Sequence, residues 1–200
     1  MKVNIGGAKG CAEFHGVDWK IMDIAHSADF VHDLNTQDAF GFDDNTLDAV
    51  YTSHTLEHIL PEYQQNTFNE MYRVLKPEGK IRIVVPDVEK AIRAYVDKDY
   101  SFLLDSRNPG KMGSLPKDPL CYLSSWFFTY YSKEKSQRLG RKPFLGGHVM
   151  AFNVPILEQY LTTSGFNNIT RLTFDDKSDI FEGCDIVRYK DCSIYVEATK

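Results

Sequence analysis

The chain of 200 residues carries six histidines and four cysteines, few enough to ask of each what chemistry its neighbours permit. The densest group is "SHTLEHI", residues 53–59, where His54 and His58 stand four positions apart and Glu57 directly precedes the second imidazole. If a helix begins there, positions i and i+4 share a face, and an imidazole is the natural general base near neutral pH. The zinc-protease order H-E-x-x-H is not met, so the stretch reads as an anchored helix start and no metal site is expected. His148 in "FLGGHVMAFN" is flanked by glycines that permit close backbone approach. His148 and His58 are therefore the candidate proton acceptors.

A second pattern concerns ligand holding. "KVNIGGAKGCAEFHGVDW" runs from a short apolar segment into Gly6, Gly7 and Ala8 and reaches Asp18 twelve positions after Gly6. Glycine lets a backbone approach a ligand closely, and a carboxylate ending the neighbouring strand can accept hydrogen bonds from both hydroxyls of a ribose. No G-K-[ST] follows, which excludes a P-loop. The dinucleotide fingerprint fits poorly, because the glycine spacing differs and an acid is expected about twenty residues on.

These residues need a scaffold. Apolar runs alternate with helical patterns through the first hundred residues, the signature of an α/β fold with a mostly parallel sheet. Strands are predicted at 2–5, 16–19, 30–33, 47–53 and 80–85, and ligands should bind beyond their carboxyl ends. A helix carries Tyr63, Phe68, Met71, Tyr72 and Leu75 and stops before Pro77 and Gly79. Pro86 and Asp87 open another, with Val88, Ile92, Tyr95 and Val96 on the face expected to pack on the sheet. From about 101 to 147, prolines, glycines and the run "CYLSSWFFTYYS" read as a lid or substrate insertion with one or two helices. Trp126, Tyr130 and Tyr131 would wall a pocket there or complete the core. A late helix bearing Ile156, Leu157, Tyr160 and Leu161 closes at Gly165, and strands at 169–174 and 193–198 flank a long connection, 175–191.

Taken in order, "VNIGGA", "GVDW", "HDL", "LDAVYTSHTLEH" and "EMYRVLKPEGKIRIVVPD" resemble class I S-adenosylmethionine-dependent methyltransferases of the type 11 family. Within it they are most similar to small bacterial enzymes found among surface-polysaccharide genes. The resemblance covers residues 2–95, and the closing "SIYVEATK" is similar to that group's last strand. It implies one Rossmann-like domain over 1–200, with a seven-stranded, mostly parallel sheet, an antiparallel C-terminal strand and helices on both faces. It implies S-adenosyl-L-methionine as cofactor and S-adenosyl-L-homocysteine as product. By position, Gly6, Gly7 and Ala8 cradle the methionine part, Asp18 takes the ribose, Asp33 and Leu34 edge the adenine, and Ser53 and His54 line the sulfonium end. Two departures stand out. Ala8 occupies a glycine position, where a left-handed backbone would cost about 1–2 kcal/mol, and the short 6–18 spacing has residues 9–15 replace most of the usual first helix.

Bulk properties narrow the partners. A net charge of −5 and the lack of a long Lys/Arg block argue against nucleic acid. No run approaches 18 apolar residues, so no membrane partner is expected and a cytoplasmic location is. Cys11, Cys121, Cys184 and Cys192 show neither C-x-x-C nor zinc-finger spacing and read as reduced, mostly buried thiols. The expected reaction is O- or N-methylation of a small molecule or saccharide, in a chain that can stand alone or as a homodimer. The alternative is a non-catalytic cofactor-binding or regulatory module of the same fold.

Overall fold

The computed structural model describes residues 1–105, 118–127 and 147–200. Its strands are β1 (Lys2–Ile5), β2 (Trp19–Asp23), β3 (Phe30–Val31), β4 (Leu47–Ser53), β5 (Leu75–Pro86), β6 (Asn167–Leu172) and β7 (Ser193–Thr199). They form one sheet in the order β3-β2-β1-β4-β5-β7-β6. The first five are parallel, while β7 runs antiparallel to both β5 and β6. The helices are α1 (Pro61–Val74), α2 (Val88–Val96), α3 (Tyr100–Asp105), α4 (Pro119–Phe127) and α5 (Val154–Ser164). This is the expected Rossmann-like architecture with its antiparallel C-terminal strand.

Strand alternation sorts side chains between two cores. Val3, Ile5, Val50, Ile81, Ile83, Val85 and Val196 face one side, where Phe68, Met71 and Val74 of α1 and Leu157 and Leu161 of α5 cover them. Ala49, Tyr51, Val84 and Tyr195 face the other, against Trp19, Phe181 and Cys184. Residues 9–15 contain turns and no helix. The space a first helix would fill is taken instead by Phe14 and by the connection 175–191, which supplies Ile180 and Phe181. The amide of His15 donates to the Gly183 carbonyl and joins the two segments.

Arg82 of β5 fastens that connection. Its side chain is 0% exposed, which would be costly without full pairing. Nε and Nη2 fork onto the Asp185 carboxylate at 3.1 and 2.7 Å, Nη1 donates to Glu197 Oε1 at 2.9 Å and to the Asp176 carbonyl, and Nη2 also reaches the Thr173 carbonyl. The guanidinium lies over the Tyr195 ring at 5.1 Å. All five N–H donors of the group are thus used.

A second anchor holds the segment before β4. Arg73 of α1 pairs with Glu70, donates to the carbonyls of Phe40 and Phe42 and reaches Asp44, while Glu70 accepts the Phe40 amide at 2.6 Å. Burial raises the Glu70 pKa, but hydrogen bonds from Arg73 and Phe40 and the Arg73 charge outweigh it, and the net shift is downward from 4.5.

Several boundaries differ from the sequence reading. The second strand starts at Trp19, because Gly16 and Asp18, the latter at φ 61°, belong to the turn before it. β3 stops at Val31. β5 begins at Leu75, with residues 76–79 bulging where Pro77 lacks an N–H and Glu78 has φ 63°. On α2 the buried residues are Val88, Ala91 and Ala94, while Ile92 is 42% and Val96 70% exposed. The helix packs its small alanines against Leu103 and Trp126 instead of laying Ile92 on the sheet. α4 lies within the expected 101–147 insertion and α3 begins at its edge, at Tyr100, whereas Tyr130 and Tyr131 fall outside the described residues. α5 ends at Gly165, φ 104°, as expected, and starts at an Asn153 cap that the sequence reading did not name.

Asp185→Ala should cost about 3–5 kcal/mol by leaving the Arg82 guanidinium buried without its main partner, read as a lower urea midpoint at unchanged slope. Glu70→Gln should cost about 1–3 kcal/mol at neutral pH. A carboxyl whose folded pKa is depressed stabilises above its unfolded value, and the benefit fades as pH falls through the lower folded value. The two proteins should therefore converge in stability below the ordinary value of 4.5.

Candidate active site

The carboxyl ends of β1, β2 and β4 meet at one edge of the sheet. Gly6 leaves β1 with φ 76°, and its amide donates to the Met22 carbonyl at 2.7 Å. A Cβ on Gly6 would lie 2.1 Å from Thr55 Oγ1, and one on Gly7 would lie 2.5 Å from the buried Asn4 side chain. Only hydrogen fits at either place. Gly10 is also left-handed, at φ 78°, whereas Ala8 is not among the positive-φ residues. The backbone strain expected at Ala8 is therefore absent: the turn puts its left-handed residues at Gly6 and Gly10, on either side. Lys9 reaches Asp29 at 3.1 Å and ties the loop to the β2–β3 connection.

The structure does not bring Asp18 to the glycine turn. Asp18 is exposed and precedes β2, so the length of the strand separates it from the glycine turn. Register pairs Ile5 with Met22, and the next residue, Asp23, ends β2 beside Gly6. Asp23 Oδ1 accepts the Ala25 amide at 2.8 Å, an Asx turn that fixes the half-buried carboxylate. The signal for Asp23 was present: "WKIMD" alternates like a strand ending in an acid, and seventeen positions from Gly6 is nearer the expected spacing than twelve. Asn4 was passed over because it sits inside the strand pattern. Asp33 follows β3 and accepts the Asn35 amide at 2.9 Å, with Leu34 half-buried beside it.

Beyond β4 the chain turns sharply. His54 has φ 51°, an uncommon conformation for a non-glycine residue. Its amide donates to the Val84 carbonyl, Nε2 lies 2.8 Å from Ser193 Oγ, and its ring stacks on Tyr189 at 3.7 Å. Burial raises the pKa of the Tyr189 phenol, with the Arg188 charge pulling against it. His54 and His58 do not share a regular helix face, since only a three-residue 3-10 turn, Leu56–His58, separates Ser53 from α1. They are brought together by Glu57, whose side chain is 1% exposed. His54 Nδ1, His58 Nε2 and His148 Nε2 lie 3.5, 3.9 and 3.7 Å from Glu57 Oε1. The His58 and His148 rings meet edge to face at 4.9 Å.

His148, read from sequence as a hinge or acceptor-facing residue, is buried in this cluster. The Glu57 carbonyl accepts the Val149 amide at 2.8 Å and so brings the His148 segment to the turn after β4. A cleft bounded by Asp48, Glu78, Lys80 and Ser178 opens at the other, amino-terminal end of β4 and holds none of these groups.

Gly6→Ala should lower stability more than Gly10→Ala. Both add about 1–2 kcal/mol of left-handed backbone cost, but only the Gly6 variant also forces a methyl group into Thr55. Thermal denaturation of the two variants reads the difference.

A family model described as a methyltransferase domain matches residues 8–83. A tRNA N(3)-cytidine methyltransferase of Gallus gallus is 47% identical over 53 residues, which is 26% of this chain and 14% of the relative's length. Among solved structures, a SAM-dependent methyltransferase from Methanosarcina mazei superposes with TM-score 0.54 at 15% identity, covering all of this chain and 91% of that one. Another from Archaeoglobus fulgidus gives 0.53 at 15% identity, covering all of this chain and 85% of that one. Residues 8–83 thus match the methyltransferase domain family, on a chain whose fold is that of S-adenosylmethionine-dependent methyltransferases.

Proposed function

We propose that this chain is an S-adenosylmethionine-dependent methyltransferase acting on a small molecule or saccharide. The observation that carries the reading is the meeting of a glycine turn after β1 with an acid at the end of β2, at one edge of a sheet with this strand order. The residues present fit the cofactor. Gly6 and Gly7 can accept no side chain, the ordinary backbone at Ala8 removes the strain argument against binding, and the turn uses only one of the several acceptor sites on the Asp23 carboxylate.

In this reading Gly6, Gly7 and Ala8 cradle the methionine part, Asp23 takes the ribose hydroxyls in place of Asp18, and Asp33 and Leu34 border the adenine. Ser53 and His54 line the methyl end. The bound cofactor supplies an activated methyl group, which leaves the protein to align the acceptor and exclude water. An acceptor hydroxyl must also lose a proton, and the cluster of Glu57, His58 and His148 beyond the methyl end is placed to assist. The Nδ1 atoms of His58 and His148 face the carbonyls of Gly147 and Trp126 and must donate to them, which leaves Nε2 as the working atom of each ring.

A net charge of −5 favours a small or neutral acceptor over an RNA backbone. The relative that acts on tRNA shares only a 53-residue segment, and the surface-polysaccharide resemblance points to a sugar. No described helix is long and apolar enough to cross a membrane. The non-catalytic alternative keeps the cofactor and lacks turnover, and transfer of a labelled methyl group from cofactor to any acceptor in a cell extract excludes it.

Asp23→Ala should weaken S-adenosylhomocysteine binding by about one to two orders of magnitude, the worth of charge-assisted hydrogen bonds. Asp18→Ala should leave it unchanged. Equal calorimetric affinities for the parent and Asp23→Ala would sink the assignment.

A further inference from the structure

The Glu57 cluster has a geometry that proton transfer alone does not require. The carbonyl oxygens of Gly147 and Trp126 can only accept, so His58 Nδ1 at 3.1 Å and His148 Nδ1 at 2.8 Å both carry hydrogen. In their neutral forms both rings then carry the lone pair on Nε2, the atom that lies 3.9 Å (His58) and 3.7 Å (His148) from Glu57 Oε1. Glu57, His58 and His148 each offer one ligand atom, and these atoms gather within 4.8 Å of one another.

A hydrogen-bonded imidazolium–carboxylate pair closes to about 2.7–2.9 Å. The observed separations from Glu57 Oε1 are 3.9 Å to His58 and 3.7 Å to His148. They are nearer the edge of a tetrahedron built on metal–nitrogen and metal–oxygen bonds of about 2.0–2.2 Å, which is about 3.3–3.6 Å. Each imidazole also donates its far N–H to a backbone carbonyl, the outer-shell contact that orients metal-ligating histidines. Glu57 and His148 are buried and His58 is half-buried, so one side of the group remains approachable.

We propose that Glu57, His58 and His148 form a binding site for one divalent first-row transition ion of the zinc type. Two imidazoles and a carboxylate are a catalytic ligand set, with a further position open to water or to an acceptor oxygen. His54, 3.5 Å from Glu57 Oε1 and held by Ser193 and Tyr189, steadies the carboxylate without being counted as a ligand. The site revises the sequence-based expectation that no metal would bind. Its existence does not depend on the methyltransferase reading. If both hold, the two histidines act on an acceptor hydroxyl through the ion, which lowers the pKa of a bound oxygen so that its proton passes to solvent water, and do not themselves take the proton.

The test is a zinc titration of the chelator-treated 200-residue chain without cofactor, by calorimetry and elemental analysis, followed by substitution with cobalt(II). One tight equivalent is expected, with cobalt absorption typical of nitrogen and oxygen ligands and no thiolate charge-transfer band. His58→Gln and His148→Ala should each weaken zinc at least about tenfold, and His15→Ala, an exposed position, should not. A folded parent that binds no stoichiometric zinc, a thiolate band implicating a cysteine, or unchanged affinity in both histidine variants would overturn the site. Since the readouts are metal content, affinity and cobalt spectrum, failure here is separable from failure of S-adenosylhomocysteine binding.

Discussion

The buried Arg82 guanidinium holds together parts of the molecule that the chain itself leaves far apart. A charge at 0% exposure is tolerable only because Asp185, Glu197 and two backbone carbonyls satisfy every N–H. Asp185 and Asp176 belong to the 175–191 connection, so pairing the guanidinium fixes that connection across the sheet. Phe181 and Ile180 then close the face that the helix-free segment 9–15 leaves open. Tyr189, later in the same connection, stacks on His54. A charge pair in the middle of β5 therefore bears on the geometry at the end of β4.

The candidate site follows from parallel strands ending at a common edge. β1 brings the glycine turn, β2 brings Asp23, and β4 brings His54 and the sharp turn toward Glu57. The left-handed backbone at His54 is held by its amide bond to Val84, its contact with Ser193 and the Tyr189 ring. Such conformations persist where surroundings over-determine them. The site's two halves differ in origin: local turn chemistry shapes the glycine side, while the histidine side requires Gly147, Trp126 and Val149 to come back from late in the chain.

Much of the fold could be read directly from residues. The alternation in "VYTS" and "IRIVV", the Asp87 and Asn153 caps and the Gly165 stop each act locally, and each stands where local chemistry puts it. The misread places share a cause. Asp18 looked like a strand-ending acid because "GVDW" has a strand-like pair of apolar residues, yet pairing with β1 decides where β2 starts, and pairing is not local. Ile92 and Val96 fit an apolar stripe on α2, but the neighbouring helices selected the alanine face, which allows closer approach.

By itself, the sequence determined the α/β class, the glycine turn and the helix limits, because strand period, cap chemistry and the φ freedom of glycine act over a few residues. Only the tertiary structure decided which acid stands beside that turn and that His58, Glu57 and His148 form one group. Asp23 owes its place to inter-strand register, and His148 reaches Glu57 across ninety-one positions through a backbone hydrogen bond at Val149. Contacts of that separation follow from how the whole chain packs, which local periodicity does not encode.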